Sequence, residues 1–187
     1  MHFSEKRDIV TINELDFVIY LSAREIQNRI REIAADITVK YKDKNPLFLV
    51  ILNGAFMFAA DLMRNLDFEC DVQFIKASSY QGLSSTGKVS FGKVEELKLN
   101  DRHVILVEDI VDSGLTLNSF IPKLAEYHPK SLAVCTLLDK AEARVFDVDV
   151  DYTAFTIADH FVIGYGLDFD GAGRNLPHIY QLIKEIV

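Results

Sequence analysis

The sequence has little of what marks several large classes of protein. It has two cysteines in 187 residues, Cys70 and Cys135, too few for a disulfide framework, and we expect both to be buried thiols beside apolar strands. Its five histidines are scattered and form no cluster with cysteine at ligand spacing, so a zinc site has little support. Neither disulfides nor zinc are therefore expected to hold the fold together.

Long apolar segments and an excess of positive charge are also missing. The longest nearly apolar stretch, residues 46–60, is interrupted by Asn53 and Gly54 and is shorter than the roughly 18 residues that indicate a bilayer span. The first eight residues are charged and lack the apolar core of a secretory signal. The net charge of −8 argues against nucleic acid as a partner, because phosphate backbones are bound by Lys and Arg. We expect a soluble, cytoplasmic protein that binds neither membrane nor nucleic acid.

What is present is enough apolar sequence for one domain with a substantial core, since 49% of the residues are hydrophobic. A capping box at Ser22 and Glu25, followed by isoleucines at helical spacing, predicts a helix over residues 22–41. The continuous apolar run 47–52 is typical of a parallel strand covered on both faces. Further elements alternate along the chain: helix 55–66, strand 72–77, strand 102–110, helix 116–127 and strand 132–138. This alternation predicts an α/β domain with a central, mainly parallel sheet.

Two segments interrupt the alternation. Residues 78–92 are rich in Ser and Gly without apolar periodicity, which predicts a long loop, and such loops in compact domains are usually lids or disordered connections. From Asp151 onward the chain has short aromatic-rich segments, 152–157 and 161–165, with no helical period. We interpret this region as an appendage of strands over the ligand edge of the sheet.

The segment from Val104 to Thr116 concentrates the chemistry. A buried strand ends in carboxylates and turns into a helix at the edge where open α/β sheets bind ligands. Backbone N–H groups of residues 112–116, together with the hydroxyls of Ser113 and Thr116, can form an anion site, and Gly114 permits a close approach. The segment is neither a Walker P-loop nor a dinucleotide fingerprint, because the required glycine and lysine patterns are absent.

The two acidic residues at the strand end have two readings. Carboxylates at Glu108 and Asp109 suit vicinal hydroxyls or a hydrated divalent cation. On residue types alone, an acidic strand end that merely caps the following helix is equally acceptable.

Residues 104–116 resemble the phosphoribosyl-pyrophosphate motif of the purine phosphoribosyltransferases, and further segments are similar to its hypoxanthine (hypoxanthine-guanine) branch. These are Leu52-Asn53-Gly54 (pyrophosphate loop), Ser79-Tyr80 with Ser85-Thr86-Gly87 (flexible catalytic loop), Asp139-Lys140 with Arg144 (base-binding lysine), 161–168 (purine region) and 174–177 (pyrophosphate region). The similarity covers most of residues 47–177, with separate motifs in the family order.

The resemblance implies a type I phosphoribosyltransferase fold over residues 1–187. This would be a single domain with a core at about 20–150 and a small hood built from the N-terminal segment and about 151–187. It also implies a homodimer or homotetramer. The implied reaction is Mg²⁺-dependent transfer of ribose 5-phosphate from phosphoribosyl pyrophosphate to N9 of hypoxanthine or guanine, releasing pyrophosphate.

The resemblance also assigns roles on the donor side of this reaction. Asp112, Ser113, Gly114, Leu115 and Thr116 would hold the 5-phosphate. The remaining donor contacts would come from Glu108 and Asp109 (ribose hydroxyls and magnesium), Asn53 and Gly54 (pyrophosphate loop), Asp168 (second magnesium or base) and Arg174 (pyrophosphate).

Acceptor and catalytic roles follow from the same resemblance. Asp112 would act as general acid/base at N7 of the purine, and Lys140 would donate to its 6-oxo group. The ring of Phe161 would stack on the purine while the Val162 backbone bonds its edge. Finally, Ser79 and Tyr80 would close over the reacting centre.

One position departs from the family pattern. Many members have Lys between Leu52 and Gly54, where this chain has Asn53, so the role of that charge does not carry over. Main-chain contacts of the loop can survive the change, including a cis Leu52–Asn53 peptide of the kind the family has.

Three other functions remain open at this point. One is a nucleotide-sensing, RNA-binding regulator with the same fold, against which the net charge weighs. Another is a related transferase that prefers xanthine or guanine. The third is a plain α/β nucleotide-binding or signalling domain without catalysis.

Overall fold

The computed structural model describes residues 9–79 and 89–183 of the chain. In these residues the elements follow one another as β1 (Ile9–Ile12), β2 (Leu15–Leu21), α1 (Ala23–Tyr41), β3 (Leu47–Leu52), α2 (Phe56–Arg64), β4 (Asp71–Ser79), β5 (Val89–Phe91), β6 (His103–Val111), α3 (Leu115–Ala125), β7 (Ser131–Asp139), β8 (Tyr152–Thr156), β9 (Val162–Ile163) and β10 (Ile179–Leu182). Short 3-10 turns occur at Val94–Glu96 and Ala141–Ala143.

The main sheet has six strands in the order β5-β4-β3-β6-β7-β8. Neighbouring strands run parallel except for β5, which pairs antiparallel with β4. The central strands β3 and β6 are apolar along most of their length because helices cover both faces. The α/β fold with a mainly parallel central sheet is therefore confirmed.

The helices follow from local sequence. Helix α1 begins with the predicted capping box: the Ser22 hydroxyl accepts from the Glu25 N–H, and the Glu25 carboxylate accepts from the Ser22 N–H at 2.9 Å. Its isoleucines, with α2, cover one face of the sheet, in a cluster that includes Ile30, Phe48 and Phe58. Helix α3 covers the other face, where Leu106 and Phe120 belong to a second cluster. Strands β3, β6 and β7 therefore lie between two apolar layers.

A second, antiparallel sheet joins the two ends of the chain in the order β1-β2-β10-β9. Its own small core contains Phe17, Ile163 and Tyr180. We call this sheet, with the segment 157–178 that leads to it, the hood. A hood built from both chain ends agrees with the predicted fold class, whereas the single-domain boundaries stay a prediction.

Two details of the predicted organisation are wrong. Residues 152–156 were expected in the appendage, but β8 is the edge strand of the main sheet, because Ala154 and the following Ile157 pack into the cluster under α1. The predicted bounds of the loop 78–92 are also wrong at both ends. Ser78 and Ser79 continue β4, and β5 pairs with it so that Val89 lies opposite Ser79. Residues 80–88 lie outside the described part of the chain.

Two further expectations concern burial. Cys135 is fully buried in β7, as expected, whereas Cys70 is only partly buried; burial raises the pKa of both thiols. Of the helices in residues 9–79 and 89–183, none has the length and apolar character needed to cross a bilayer.

Candidate active site

The end of β6 opens into a cavity of about 240 Å³ lined by residues 108–117. The turn between β6 and α3 passes through Gly114 in a left-handed conformation, with φ of 81°. A Cβ at this glycine would lie 2.7 Å from the Phe146 carbonyl oxygen, so only glycine fits here. Because α3 starts at Leu115, its first N–H groups belong to this cavity wall. The geometry is that of an anion site at a helix N-terminus.

Two adjacent carboxylates form the acidic wall of this cavity. Glu108 is 7% exposed, and its Oε2 is buried without a hydrogen-bond partner among the described residues. The hydrogen bonds that Asp109 accepts from the described part of the chain are local, among them one from the Ile110 N–H at 2.9 Å. Burial raises the pKa of Glu108 well above its usual range, with the Asp109 charge adding to the effect, and raises the pKa of Asp109 to about 6. Buried, incompletely bonded carboxylates of this kind suit a cation or hydroxyl groups supplied by a ligand.

The loop after β3 packs directly against this acidic wall. A Cβ on Gly54 would lie 1.4 Å from Asp109 Oδ2, so the carboxylate occupies the space that glycine leaves free. A Cβ on Gly166 would in turn lie 2.1 Å from the Gly54 carbonyl oxygen. The Leu52–Asn53 peptide is cis, as in the family pattern. Three chain segments therefore meet at backbone distance beside Asp109.

A second cavity of about 230 Å³ adjoins the first and lies beneath the hood. Its lining includes Asn53, Gly54, Glu108, Asp109, Asp168 and Arg174. The Arg174 guanidinium bonds the Asp168 carboxylate at 2.6 Å and the Gly166 carbonyl at 2.8 Å, so a cation lies opposite the acidic wall. One cavity thus contains both carboxylates and a planar guanidinium, the groups that magnesium and a pyrophosphate require.

The carboxylates do not form a complete metal site by themselves. Within residues 9–79 and 89–183, no group of three or more His, Cys, Asp or Glu side chains is arranged to hold a metal ion. Magnesium fits this arrangement, because it usually binds through one or two carboxylates together with water and substrate phosphates. The Oε2 of Glu108, buried and without a hydrogen-bond partner in the described part of the chain, is an oxygen that such a cation could bind.

On the other side of Asp112, a buried lysine marks a second half of the site. The Lys140 side chain is only 8% exposed, and its Nζ lies 3.0 Å from Asp159 and 3.5 Å from Asp112. The Lys140 N–H donates to the Val111 carbonyl at 2.9 Å, which anchors the residue beside the end of β6. An ammonium group is thus held next to the Asp112 carboxylate, at the start of the turn between β6 and α3 (residues 112–114), which we call the phosphate turn.

An exposed aromatic ring from the hood completes this half. Phe161 is 45% exposed, although its ring contacts Phe169 edge-on at a centroid distance of 5.5 Å and Phe17 at 6.2 Å. The next residue, Val162, is buried at the start of β9. A large apolar ring fixed by neighbouring rings but open to solvent on its free side suits stacking with a planar ligand.

The structure brings most of the predicted site residues together. Residues 108–116 line the first cavity, and Asn53, Gly54, Asp168 and Arg174 join Glu108 and Asp109 at the second. Lys140 contacts Asp112, whereas Phe161 and Val162 lie in the hood. Ser79 is the last residue of β4, and Tyr80 lies outside the described residues. The roles assigned to all of these site residues stay predictions.

Two residues that shape the site were missed. Asp159 holds the Lys140 ammonium, and Gly166 allows the hood to touch Gly54. Gly166 belongs to a Gly-Tyr-Gly sequence, a signal for close backbone approach that sequence reasoning left unused. Nothing in the local sequence marks Asp159, because its contact with Lys140 depends on the fold.

Comparisons with known proteins agree with this geometry. The family described as phosphoribosyl transferase domain matches residues 19–170. The chain is 42% identical over 177 residues to the hypoxanthine-guanine-xanthine phosphoribosyltransferase of Tritrichomonas foetus, which covers 94% of this chain and 96% of that protein. It is 41% identical over 168 residues to the hypoxanthine phosphoribosyltransferase of Escherichia coli, covering 88% and 94%.

Solved structures give the same picture. The crystal structure of a hypoxanthine-guanine phosphoribosyltransferase from Bacillus anthracis has a TM-score of 0.83 and 38% identity, covering 88% of this chain and 98% of that one. A hypoxanthine phosphoribosyl transferase from Trypanosoma cruzi has a TM-score of 0.84 at 36% identity, covering 93% and 95%. With a family match over most of its length and relatives of this similarity, the chain belongs to the phosphoribosyltransferase family.

Proposed function

We propose that this protein is a purine-salvage enzyme of the cytoplasm, a hypoxanthine phosphoribosyltransferase. It would transfer the 5-phosphoribosyl group from phosphoribosyl pyrophosphate to N9 of hypoxanthine and guanine. The bond between C1′ and the pyrophosphate oxygen breaks, the bond from C1′ to N9 forms, and the purine loses one proton. The products are a nucleoside monophosphate and pyrophosphate. The observation that carries this proposal is the Lys140 ammonium, held 3.5 Å from Asp112 at the mouth of the phosphate turn.

This pair matches one edge of an oxopurine. N7 and the 6-oxo group lie side by side on that edge, so a carboxylate and an ammonium placed next to each other address both atoms at once. Asp112 takes the proton from N7 while N9 bonds to C1′, and Lys140 donates to the oxygen. Adenine would present an amino group to the ammonium, which leaves two donors facing each other. The arrangement therefore selects oxopurines over adenine.

The donor occupies the two adjoining cavities. Its 5-phosphate lies against the N–H groups and hydroxyls of residues 112–116, and its ribose hydroxyls face Glu108 and Asp109. The pyrophosphate lies by Asn53 and Gly54 and is bound by the fork of Arg174. Holding both anionic ends fixes C1′ between leaving group and purine, which is where most of the rate enhancement of such a transfer arises.

Magnesium is the cofactor in this proposal: Glu108 and Asp109 would hold one ion together with the donor, and Asp168 would approach a second ion or the base. When bound, it neutralises charge on the pyrophosphate leaving group. The carboxylates bind it only when ionised, so protons compete with the metal at Asp109, where burial raises the pKa to about 6.

Two parts of the proposal concern regions around the site. Ser79 and Tyr80 would belong to a lid that excludes water from the reacting carbon.

The enzyme would also be a homodimer or homotetramer, since Val72, Phe74 and Phe56 expose apolar surface on β4 and α2 that a second copy can cover. Light scattering on wild type and on Phe74→Glu tests the oligomer: a monomer in both cases contradicts it.

A direct assay tests the activity. Wild-type protein is mixed with phosphoribosyl pyrophosphate, Mg²⁺ and, in parallel, hypoxanthine, guanine, xanthine or adenine, and pyrophosphate release is measured. We expect release with hypoxanthine and guanine and none with adenine. A dominant xanthine signal would replace the proposed preference by a xanthine one, and release with no base would contradict the transferase. A salt-sensitive RNA gel shift without release would favour the RNA-binding regulator.

The Asp112→Asn variant tests the mechanism. Removing a general acid/base costs typically about 10²–10⁴ in rate, so turnover should fall at least about tenfold while donor affinity stays nearly unchanged. Asp36→Asn, at an exposed acid on α1 that lines neither cavity, serves as the matched control. Unchanged turnover in Asp112→Asn would remove this residue from the mechanism.

A further inference from the structure

The turn between β6 and α3 packs against a segment in which only Lys140 has been given a role in the transfer. Residues 139–148, which we call the strap, run from the end of β7 through the 3-10 turn at Ala141–Ala143 and pass under the turn between β6 and α3. The Ser113 carbonyl accepts from the N–H groups of Val145 and Phe146 at 3.0 and 2.9 Å. The strap is thus hydrogen-bonded to the residue that precedes Gly114.

Packing tightens this connection. The space beside Gly114 is filled by the Phe146 carbonyl oxygen, the Arg144 Cδ and the Val148 Cγ2, which lie 2.7, 2.9 and 3.2 Å from the position of a Cβ at Gly114. Because these atoms leave the glycine no room on that side, a shift of the strap moves the phosphate turn. The strap therefore forms a closely packed floor beneath the anion site.

Arg144 holds the strap in its bent shape. Its guanidinium bonds the Asp139 carboxylate at the start of the strap and the Val148 carbonyl at the end, the latter at 3.1 Å. Both partners of the ion pair are largely buried, with side chains 16% and 15% exposed. The Arg144 Nε is buried without a partner among the described residues. Burying a charge whose hydrogen bonds are incomplete costs desolvation free energy, so this ion pair contributes little to the stability of the fold. Its presence therefore calls for a functional explanation.

We propose that Arg144 is a positioning residue for the donor phosphate, which it serves by clamping the strap under Ser113 and Gly114. The inference rests on the proposed transferase activity and deepens it. Arg144 acts through the backbone. Its bonds to Asp139 and Val148 fix the position of the strap, and the strap in turn fixes the orientation of the N–H groups of the phosphate turn. In this role the arginine does not contact the reacting atoms.

The clamp should affect the two substrates unequally. Lys140 also belongs to the strap, yet its ammonium is held by Asp112 and Asp159 and its N–H by the Val111 carbonyl, independently of Arg144. Loosening the clamp therefore disturbs the floor of the phosphate turn more than the purine lysine. The expected signature is a change in donor affinity without an equal change in purine affinity.

The experiment compares Arg144→Gln, Asp139→Asn and the double variant with wild type. Each single variant should raise the KM for phosphoribosyl pyrophosphate about tenfold or more while the KM for hypoxanthine changes less than about threefold. The double variant should be no worse than the more affected single one, because both remove the same clamp. Calorimetric binding of phosphoribosyl pyrophosphate with Mg²⁺, without purine, should show the same loss and does not depend on turnover.

Arg29→Gln is the matched control. Arg29 also bonds a carboxylate, Glu32, and two carbonyls, those of Thr153 and Ala154, but it lies on α1 away from both cavities. The Arg29→Gln variant should lower the midpoint of thermal unfolding without changing the KM for phosphoribosyl pyrophosphate more than the KM for hypoxanthine. If Arg144→Gln does not fold, Arg144→Lys keeps the charge but reaches one acceptor at a time, and an intermediate rise in donor KM is expected.

Three results would overturn the inference: equal changes in both KM values, a pattern in Arg144→Gln that only repeats Arg29→Gln, or additive effects in the double variant. A different result would contradict the proposed function, namely that the wild-type protein does not transfer the phosphoribosyl group to a purine. The calorimetric ratio between variant and wild type reports on the clamp in either case.

Discussion

The two halves of the site are built in different ways. The donor half comes mainly from one continuous stretch, residues 108–116, where a strand, a turn and a helix start follow one another. The acceptor half combines Lys140 from the end of β7 with Phe161 and Val162 from the hood, which belongs to the other sheet. A local pattern is thus sufficient to create an anion site, whereas a purine site requires two sheets to meet.

The halves also differ in how their charges are satisfied. In the donor half, Glu108 has a buried oxygen without a partner among the described residues, and the pKa values of both carboxylates are raised by burial. In the acceptor half, the buried Lys140 has two carboxylate partners. The donor half is therefore electrostatically incomplete without its ligand, while the acceptor half is preformed. Four predictions test this contrast, in order of decreasing effect.

The largest effect is expected from Gly54→Ala. The new Cβ would lie 1.4 Å from Asp109 Oδ2, so the carboxylate or the loop must move by more than an ångström. A displacement of about 1 Å in a catalytic site can cost about 10²-fold, and we expect kcat/KM for the donor to fall at least that much. Gly92→Ala is the matched control, since its Cβ would make an ordinary contact of 3.6 Å with Ile75. Similar activities for the two variants would contradict the tight donor half.

The second prediction concerns pH. Burial raises the pKa of Asp109 to about 6, so the folded protein binds this proton more tightly than the unfolded chain does. The native state is therefore penalised as Asp109 ionises, and stability falls as pH rises from about 4 to about 6. Relative to wild type, Asp109→Asn should gain about 3 kcal/mol of unfolding free energy between about pH 4 and about pH 7.

Urea unfolding of both proteins across this range measures the effect. Ile110→Val serves as the control, because it changes the next residue of the same strand without removing an ionisable group. Parallel pH profiles for wild type and Asp109→Asn would mean that the donor half tolerates its charges without a ligand.

How far the sequence predicts the molecule follows the same division. Strand β3 and helix α1 carry their signals locally, as a continuous apolar run and a capping box, and both lie within one residue of the predicted bounds. By contrast, β8 joins the main sheet and β5 pairs with β4 through contacts between distant segments. The sequence of a short aromatic strand does not indicate which sheet the strand joins. The alternation of apolar and polar residues specifies which face of the strand is buried, but not which strand it pairs with.

The site repeats this lesson. The phosphate turn and its acidic wall are visible in residues 108–116 because the strand, the glycine and the hydroxyls are adjacent in sequence. Lys140 and Phe161, read alone, look like a surface lysine and a core phenylalanine, and only the family resemblance marked them. Asp159 escaped even that, because its contact with Lys140 arises from the way the hood leaves the main sheet.

The third prediction addresses the acceptor half through Phe161→Leu. Stacking of a base on an aromatic ring is worth about 1–3 kcal/mol by alanine substitution. Leucine keeps part of the apolar contact, so we expect the KM for hypoxanthine to rise about tenfold with the donor KM nearly unchanged. Phe161→Tyr, which keeps the ring, should behave like wild type. An equal rise in both KM values would mean that the two halves are not separable at this residue.

The smallest effect tests how firmly the hood is fixed to the main body. The first N–H of α1, from Ala23, donates to Nδ1 of His178 at 2.8 Å, which joins the segment before β10 to the helix. Removing a cap of this kind costs about 1 kcal/mol, so His178→Ala should lower stability by that amount. Because the hood supplies Phe161 to the acceptor half and Asp168 and Arg174 to the donor half, the KM values for hypoxanthine and for the donor should both rise about twofold to threefold. His178→Asn offers an acceptor oxygen to the same N–H and should restore stability and both KM values; a rise in the hypoxanthine KM alone would show that Asp168 and Arg174 keep their positions when the hood is loosened.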